Sequence, residues 1–184
     1  HSLKAKLDSY GYIYSDEQLE EIMKKVKKLG DKGKNVTDAD LQAIADDIIG
    51  RVSEEEQYLK LKELMVVTGL NITPTATVRI KVGEEEKLVS DLGVGPVDAA
   101  CNAIQKAVKA FGEISLVEYN LEAITGGTEA LGFVTVKIKD NKEKLYTARA
   151  ANEDIVSASV QALINAVNRM LASNRNNGKS NNPA

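Results

Sequence analysis

Apolar positions at helical spacing mark two helices near the start of the chain. In SDEQLEEIMKKVKKLG, Ser15 stands three residues before Gln18, which is the spacing of a capping box, and Gly30 is a natural helix end. In TDADLQAIADDIIG, Thr37 is the predicted N-cap. These patterns predict a helical hairpin over residues 1–55. A hairpin of this size buries little core alone, so we expect it to pack on another part of the protein. A candidate for that part is a segment missing from this chain.

Residues 56–172 repeat one plan twice, with a period of about fifty-five residues. In the first copy, 56–112, LKLKELMVVTG and the alternating TATVRIKV predict strands, KLVSDL is a candidate third strand, and a helix follows at 96–111. In the second copy, 113–172, ISLVEYNLEAIT, GFVTVKIKD and KLYTARA precede a helix at 153–171. One-sided strands followed by a helix predict an α+β fold, in which helices cover one face of each antiparallel sheet. The last residues, 173–184, are polar and low in complexity, which predicts a disordered tail.

The composition is that of an ordinary soluble globular protein, with 43% hydrophobic and 28% charged residues. The formal net charge of -3 does not favour a general nucleic-acid binder. The densest basic run, KKVKK at 24–28, lies on a predicted amphipathic helix, where a solvated helix face explains it. We therefore expect no nucleic-acid partner.

Cysteine and histidine are each present once. Because Cys101 is the only cysteine, no internal disulfide can form, which fits a reducing, cytoplasmic compartment. We recognise no signal peptide and no apolar run of membrane-spanning length, and expect no membrane partner. The only histidine is His1, and a chain that begins HSLKAKL without methionine is expected to be a fragment.

The segment DLGVGPVDAACNAIQKAV, residues 91–108, begins like an anion-binding loop. A phosphate loop of the Walker type needs Lys and then Ser or Thr after its last glycine, whereas Pro96 and Asp98 stand near that place. A dinucleotide loop needs a third glycine and a parallel βαβ unit, and both are absent from the pattern. Gly95 as N-cap and Pro96 at the first helical position explain the segment without a nucleotide.

Three motifs in order, GVGPVDAA, LVEYNLEAITGGTEALG and NEDIVSASVQALINAVNRM, resemble the C-terminal regulatory domain of 2-isopropylmalate synthase, a family that includes (R)-citramalate synthase. The hairpin resembles the linker subdomain that joins this domain to the catalytic barrel, so the resemblance covers about residues 1–172. The known fold of the domain, two βββα units, agrees with the repeated plan. The resemblance thus divides the chain into a linker subdomain at 1–55, a regulatory domain at 56–172 and a tail at 173–184.

The resemblance implies a parent acyltransferase that condenses acetyl-CoA with a 2-oxo acid in a barrel dependent on a divalent metal. The pathway product inhibits the parent by binding the regulatory domain: L-leucine for isopropylmalate synthase, or L-isoleucine for citramalate synthase. Members form homodimers through this domain, with the effector near the pairing surface. The barrel and its paired-histidine metal motif are missing here, so we expect this chain to be inactive, with no catalytic residue, metal site or cofactor of its own.

The resemblance also implies positions for the effector site. They fall at the starts of the two long helices, on the strand LVEYNLEA and after the GGT turn at 126–128. Glu153 replaces a proline that the family often has, so its role is open. The effector-site positions are Val97, Asp98, Leu116, Tyr119, Ala123, Ala130, Gly132, Glu153 and Ile155.

Residue chemistry suits a free amino acid at these positions. A helix start attracts a carboxylate, and since Pro96 has no N–H, the start near Asn152 is the preferred seat. Asp98 or Glu153 is the candidate partner for the ammonium group. Apolar walls come from Leu116, Ala123 and Ile155, with Tyr119 adding an apolar ring and a polar tip.

Each position also has a structural explanation. Asp98 is a common first-turn residue, Tyr119 can be plain core, Asn152 is a predicted cap, and Ala130 and Gly132 suit a close approach of two strands. A purely structural dimerisation module therefore remains the alternative to a leucine-binding one.

The family's linker region contributes a histidine and a tyrosine to the partner's active site. Four residues near that region, His1, Tyr10, Tyr12 and Tyr14, do not align clearly with those two. For the tyrosines, packing or exposed linker aromatics is the favoured interpretation.

Overall fold

The computed structural model describes residues 2–51, 57–123 and 131–180. The hairpin region contains three helices, and each repeat contains three strands and a long helix. The bounds are α1 (Leu3–Ser9), α2 (Asp16–Asp31), α3 (Asp38–Ile49), β1 (Leu59–Val67), β2 (Thr75–Val82), β3 (Glu85–Leu92), α4 (Pro96–Val108) with a 3₁₀ turn at Lys109–Phe111, β4 (Ser115–Ala123), β5 (Gly132–Lys139), β6 (Leu145–Asn152) and α5 (Ile155–Ser180). The predicted α+β class is confirmed.

Both predicted helix starts in the hairpin carry a complete capping box. The Ser15 hydroxyl accepts from the Gln18 N–H, and the Gln18 side chain accepts from the Ser15 N–H. Thr37 and Asp40 make the same reciprocal pair at α3. These bonds satisfy backbone donors that a helix start otherwise leaves open.

The two repeats form separate antiparallel sheets of the same topology, β1-β2-β3 and β4-β5-β6. Each sheet has a register shift near the start of its first strand, between Leu61 and Glu63 in one and between Leu116 and Glu118 in the other. The candidate third strand KLVSDL lies within β3. We name β1–β3 with α4 the first unit, and β4–β6 with α5 the second unit.

The main core lies between the helices and one face of each sheet. Alternate residues of the central strands β2 and β5 are buried, as a one-sided strand requires. Small residues on the buried faces of α4 and α5 let both helices approach the sheets and each other. The fully buried residues of this core include Val78, Ile80, Ala100, Ile104, Val134, Val136, Ala162 and Leu163.

Side chains of the long helices close the free edges of β3 and β6. From α4, Asn102 Nδ2 and Lys106 Nζ donate to the carbonyls of Leu92 and Ser90, at 3.0 and 3.2 Å. The same arrangement recurs on α5, where an asparagine and a basic residue four positions later reach alternate carbonyls of the preceding strand. These bonds run from Asn165 to Arg149 O, at 3.0 Å, and from Arg169 to Thr147 O.

The α5 helix also holds the start of the first sheet. Asn168 is almost fully buried, and its amide oxygen accepts from the N–H groups of Tyr58 and Leu59 at 3.0 and 2.8 Å. Its amide nitrogen donates to Leu59 O at 2.9 Å. Because one side chain bonds three backbone groups, the helix of the second unit fixes the position of β1.

The hairpin packs on the outer face of the second sheet, so its packing partner lies within this chain. Apolar residues Leu131, Phe133 and Ala151 of the second unit join the core cluster of α2 and α3. A polar anchor adds to this contact, centred on Asp47 of α3, which is 1% exposed. Its carboxylate accepts from Lys25 and from the Arg51 guanidinium, at 3.0–3.1 Å.

The same anchor reaches the free edge of β6. The Lys25 ammonium group donates to Ala151 O at 2.8 Å, while the Ala151 N–H points to Asp47 Oδ2 at 3.4 Å. Asn165 Nδ2 lies 3.5 Å from the other Asp47 oxygen. The anchor therefore joins α2, α3, β6 and α5.

The α5 helix is longer than predicted. The expected disorder of the tail is wrong for residues 173–180, because the helix continues to Ser180. The expectation that no apolar run reaches membrane length is also wrong, since the helical segment Ile155–Arg175 contains an 18-residue window that is long and apolar enough to cross a membrane. Because 67% of that window is buried inside the protein, it has the character of a core helix.

Replacement of Asp47 by alanine should lower the free energy of unfolding by about 3 kcal/mol, because it leaves Lys25 without its carboxylate and Arg51 with Glu21 alone. Urea unfolding followed by circular dichroism measures the change. The control is Asp38→Ala, which removes an exposed ion pair with Lys6 and should leave the urea midpoint nearly unchanged. Equal midpoints for the two variants would show that Asp47 is not the anchor.

Candidate functional site

The GVGP turn brings the end of β3 against the start of α4. A side chain on Gly93 would lie 2.7 Å from the Ala99 Cα atom and closer still to the Ala99 N–H, so only glycine fits there. Gly95, the N-cap, faces open space. The Val94 N–H donates to Asp98 Oδ2 at 2.8 Å, which ties the turn to the helix. The glycines thus have different roles: Gly93 permits a close approach and Gly95 begins the helix.

The starts of α4 and α5 differ in what satisfies their backbone donors. At α4 the N-cap residue is Gly95, which has no side chain to accept a hydrogen bond. The N–H groups of the first turn of α4 therefore have no side-chain cap. At α5 the Asp154 carboxylate accepts from the N–H groups of Val156 and Ser157, at 3.3 and 3.2 Å. The open helix start is therefore that of α4, at Val97 and Asp98.

This finding corrects the predicted role of Asn152. The α5 helix begins at Ile155, and its cap is Asp154, whose main-chain carbonyl also accepts from the Ala158 N–H. Asn152 makes a turn before the helix, where its amide oxygen accepts from the Asp154 N–H at 2.9 Å. Since Asp154 already occupies the first-turn donors, the start near Asn152 is not the preferred carboxylate seat.

The β4 strand and α5 form an apolar shelf with one polar contact. Tyr119 lies opposite the buried Val136, so its side chain is on the helix-covered face of the sheet, although 37% of it remains exposed. The Ser159 hydroxyl donates to Ile155 O at 2.7 Å. The Tyr119 hydroxyl therefore donates to Ser159 Oγ, at 2.6 Å. Leu116 and Leu121 flank the ring on the same face.

Gly132 permits a close approach of the chain at the end of this shelf. A side chain there would meet Asn152 O at 3.2 Å and the Ile155 side chain at 3.5 Å. The structure therefore brings Gly132, Ile155 and Tyr119 to one region through the start of α5. Val97 and Asp98 belong to the first unit, at the start of α4. Ala123 pairs with Gly132 at the end of β4, while Ala130, the GGT turn and His1 lie outside the described residues.

Glu153 faces the hairpin. Its carboxylate lies 3.5 Å from the Lys32 ammonium group of α2. The two residues line a groove of about 500 Å³ between α2 and the start of α5, which also includes Lys28, Leu131 and Asp154. Glu153 is therefore placed to contact α2 as well as the region near Ile155.

The three tyrosines of the hairpin region make local contacts. Tyr12 donates to Asp46 Oδ1 at 2.8 Å, and Tyr14 donates to Asp8 Oδ1 at 2.6 Å, which raises the pKa of Tyr14 to about 12. The rings of Tyr10 and Tyr12 make an edge-to-face contact. Within the described residues, no three His, Cys, Asp or Glu side chains are grouped so as to hold a metal ion.

The amino-acid sequence matches the model of a known protein family. The family model for the LeuA allosteric (dimerisation) domain matches residues 35–171. The chain belongs to this family. The match begins before α3 and ends within α5, so it includes α3, the first unit and the second unit up to residue 171.

Relatives of the chain include proteins named as 2-isopropylmalate synthases and as (R)-citramalate synthases. The chain is 46% identical to the 2-isopropylmalate synthase of Methanocaldococcus jannaschii over 94% of its length, and 46% identical to the (R)-citramalate synthase of the same organism over 92%. It is 49% identical to a protein named "Probable 2-isopropylmalate synthase" of Methanopyrus kandleri, over 92% of its length. These matches cover 33–34% of each relative, so the chain spans about one third of their length.

Sequence reasoning missed several residues that shape this LeuA domain. The motif NEDIVSASVQALINAVNRM contains Ser159, but the sequence alone does not indicate its hydrogen bond with Tyr119. In the same motif, Asn165, Asn168 and Arg169 bond to backbone groups at the sheet edges. A signal for the edge contacts was available, because NAIQK in α4 and NAVNR in α5 share an asparagine and a basic residue at the same spacing.

Gly93→Ala should destabilise the protein by about 2 kcal/mol or more, because the new methyl group collides with the backbone of Ala99. Thermal unfolding of the purified variant measures this change. Gly95→Ala is the matched control two residues later, where the methyl group meets open space and only helix capping weakens, by at most about 1 kcal/mol. A Gly95 variant as unstable as the Gly93 variant would contradict the assigned roles.

Proposed function

We propose that this chain is the regulatory domain of a 2-isopropylmalate synthase and that it binds L-leucine as a feedback inhibitor. Membership in the LeuA family carries the proposal, together with a shelf of apolar groups beside a hydrogen-bonded tyrosine at the start of α5. The parent would condense acetyl-CoA with 2-oxoisovalerate in the cytoplasm, with its divalent metal in the catalytic barrel. Catalysis, acetyl-CoA and the metal belong to that barrel and not to this chain.

The shelf suits a branched aliphatic side chain. Leu116, Ile155 and the ring of Tyr119 offer apolar surface, and the three side chains are each about 40% exposed. Apolar groups left partly open to solvent beside a buried core gain free energy when a ligand covers them. Because Gly132 has no side chain, Ile155 at the start of α5 lies close against the end of the shelf.

The charged groups of the amino acid would be held at the start of α4. The uncapped N–H groups of Val97 and Asp98, with the positive end of the helix dipole, suit a carboxylate. The Asp98 carboxylate is held by the Val94 N–H and is exposed, so it is the better partner for the ammonium group. Glu153 is the weaker candidate for the ammonium group, because its carboxylate already lies 3.5 Å from the Lys32 ammonium group.

A pocket that uses both groups requires the shelf of the second unit and the α4 start of the first unit. We infer that a homodimer supplies this arrangement through β4. The β4 strand is an edge strand of the second sheet. Its residues 115–122 are all exposed, and several of them are apolar. An uncovered apolar edge readily pairs with another chain, and the effector would then lie at the pairing surface. The exposed apolar residues of β4 are Leu116, Val117, Tyr119 and Leu121.

Two other functions compete with this proposal. The (R)-citramalate synthase relative supports an isoleucine-binding regulatory domain, because its identity to this chain equals that of the 2-isopropylmalate synthase from the same organism. Leucine and isoleucine differ in shape alone, which a pocket distinguishes by about 1–3 kcal/mol. The replacement of the family's proline by Glu153 supports a purely structural dimerisation module. We favour leucine on the resemblance of TGGTEALG and NAVNRM to isopropylmalate synthases.

Calorimetric titration of the chain with L-leucine, L-isoleucine and L-valine tests the effector. We expect leucine to bind most tightly, and Tyr119→Ala to weaken leucine binding at least about tenfold, because it removes an apolar wall of the pocket. Asn120→Ala is the control, since this exposed residue is next to Tyr119 and faces away from the shelf. Preference for isoleucine would indicate a citramalate synthase. Absence of heat and of thermal stabilisation with all three would leave the structural module.

Sedimentation velocity tests the proposed pairing surface. We expect the unmodified chain to sediment as a dimer. The Val117→Lys dimer should begin to dissociate at a higher protein concentration than the unmodified dimer, because a charge on β4 would be buried against the partner. Leu70→Lys is the control, since this equally apolar residue is 90% exposed in the connection between β1 and β2. A Val117 variant that associates as tightly as the control would place the dimer contact elsewhere.

A further inference from the structure

A cavity of about 360 Å³ lies where the hairpin meets the free edge of β6. Its size is in the range of small-molecule sites. It shares no residue with the proposed effector site. The hairpin lines it with Tyr12, Asp46, Ile49 and Gly50, and the second unit lines it with Thr147, Ala148, Arg149 and Arg169.

One of the two arginines in this cavity is fixed by the backbone. The guanidinium group of Arg169 donates to the carbonyls of Gly50 and Thr147, and so joins the end of α3 to the edge of β6. Carbonyl oxygens orient this group without neutralising its charge. The second unit therefore presents a cation at a fixed place in the cavity wall.

The second arginine adds charge that the cavity does not balance. Arg149 is exposed on the outer face of β6. The pKa of Arg169 is lowered, first by the burial of its own guanidinium group and second by the positive charge of Arg149. Among the ion pairs of the described residues, neither arginine has a carboxylate within 4.0 Å. The cavity contains one carboxylate, Asp46, which already accepts from the Tyr12 hydroxyl. Two cations and one anion leave one net positive charge.

We propose that this cavity binds a small oxyanion, a phosphate or a carboxylate, between the guanidinium groups of Arg149 and Arg169. Guanidinium groups match both anions through paired N–H donors, and an anion between them relieves the repulsion of the two like charges. Because the cavity has walls from α3 and from β6, the bound anion also stabilises the contact between the hairpin and the second unit.

Titration of the whole chain at constant ionic strength tests the site, with inorganic phosphate and pyrophosphate as one arm and malonate and citrate as the other. Constant ionic strength removes the general effect of screening on charge interactions. We expect saturable heat in at least one arm, and a rise in the unfolding temperature with the same probe. The arm that gives the tighter binding identifies the class of anion.

Arg149→Gln is the test variant, because Arg149 is exposed and its loss leaves the Arg169 contacts in place. We expect this variant to weaken binding of the effective probe at least about tenfold, which corresponds to loss of a charged hydrogen bond. Arg79→Gln is the matched control, since it removes the same charge from β2 of the first unit. Circular dichroism establishes that both variants are folded.

Three results would overturn the proposal. The first is the absence of saturable heat with all four probes. The second is equal binding by the Arg149 variant and the unmodified chain. The third is an equal loss in the Arg149 and Arg79 variants, which would indicate a general effect of net charge.

Discussion

The free edges of β3 and β6 impose the constraint on which the arrangement of the helices depends. Each edge presents alternate carbonyls without a neighbouring strand. At β6 the helix bonds to these carbonyls are partly buried, and a buried backbone group left unpaired costs about 1–3 kcal/mol. At β3 the bonds are exposed. An asparagine and a basic residue four positions later on the following helix satisfy two of these carbonyls in each unit. Side chains one helical turn apart match carbonyls two strand residues apart, so the bonds fix each helix along the strand that precedes it.

The second unit uses its edge to hold the rest of the chain as well. At Ala151 the edge is completed by Lys25 and Asp47 from the hairpin, while Asn168 of α5 holds the start of β1. The α5 helix thus contacts the hairpin anchor, both sheets and, through Ser159, the proposed effector shelf. The same helix therefore carries the contact with the hairpin and the contact with the shelf.

Periodicity predicted the fold well because it reports burial along one element at a time. The alternation in TATVRIKV and the cap at Ser15 depend on local neighbours, so both predictions are confirmed. The site depends on contacts between distant segments, which one sequence does not show. Asn152 and Asp154 are both good caps, and only the path of the chain from β6 decides that Asp154 begins the helix. The partners of Glu153 and Ser159 likewise come from α2 and β4, at 121 and 40 residues' separation.

The two units of the repeat differ where the proposed effector would bind. Asn102 comes six residues after the start of α4, whereas Asn165 comes ten residues after the start of α5, so α5 has about one extra turn before the shared contact. That extra turn carries Ile155 and is closed by Asp154, while the shorter α4 begins at Gly95 and Pro96 with no side-chain cap. In the proposed site, the second unit would therefore contribute apolar surface and the first unit open backbone donors. A free amino acid has both an apolar side chain and charged groups, so one unit alone would meet only part of its binding requirements.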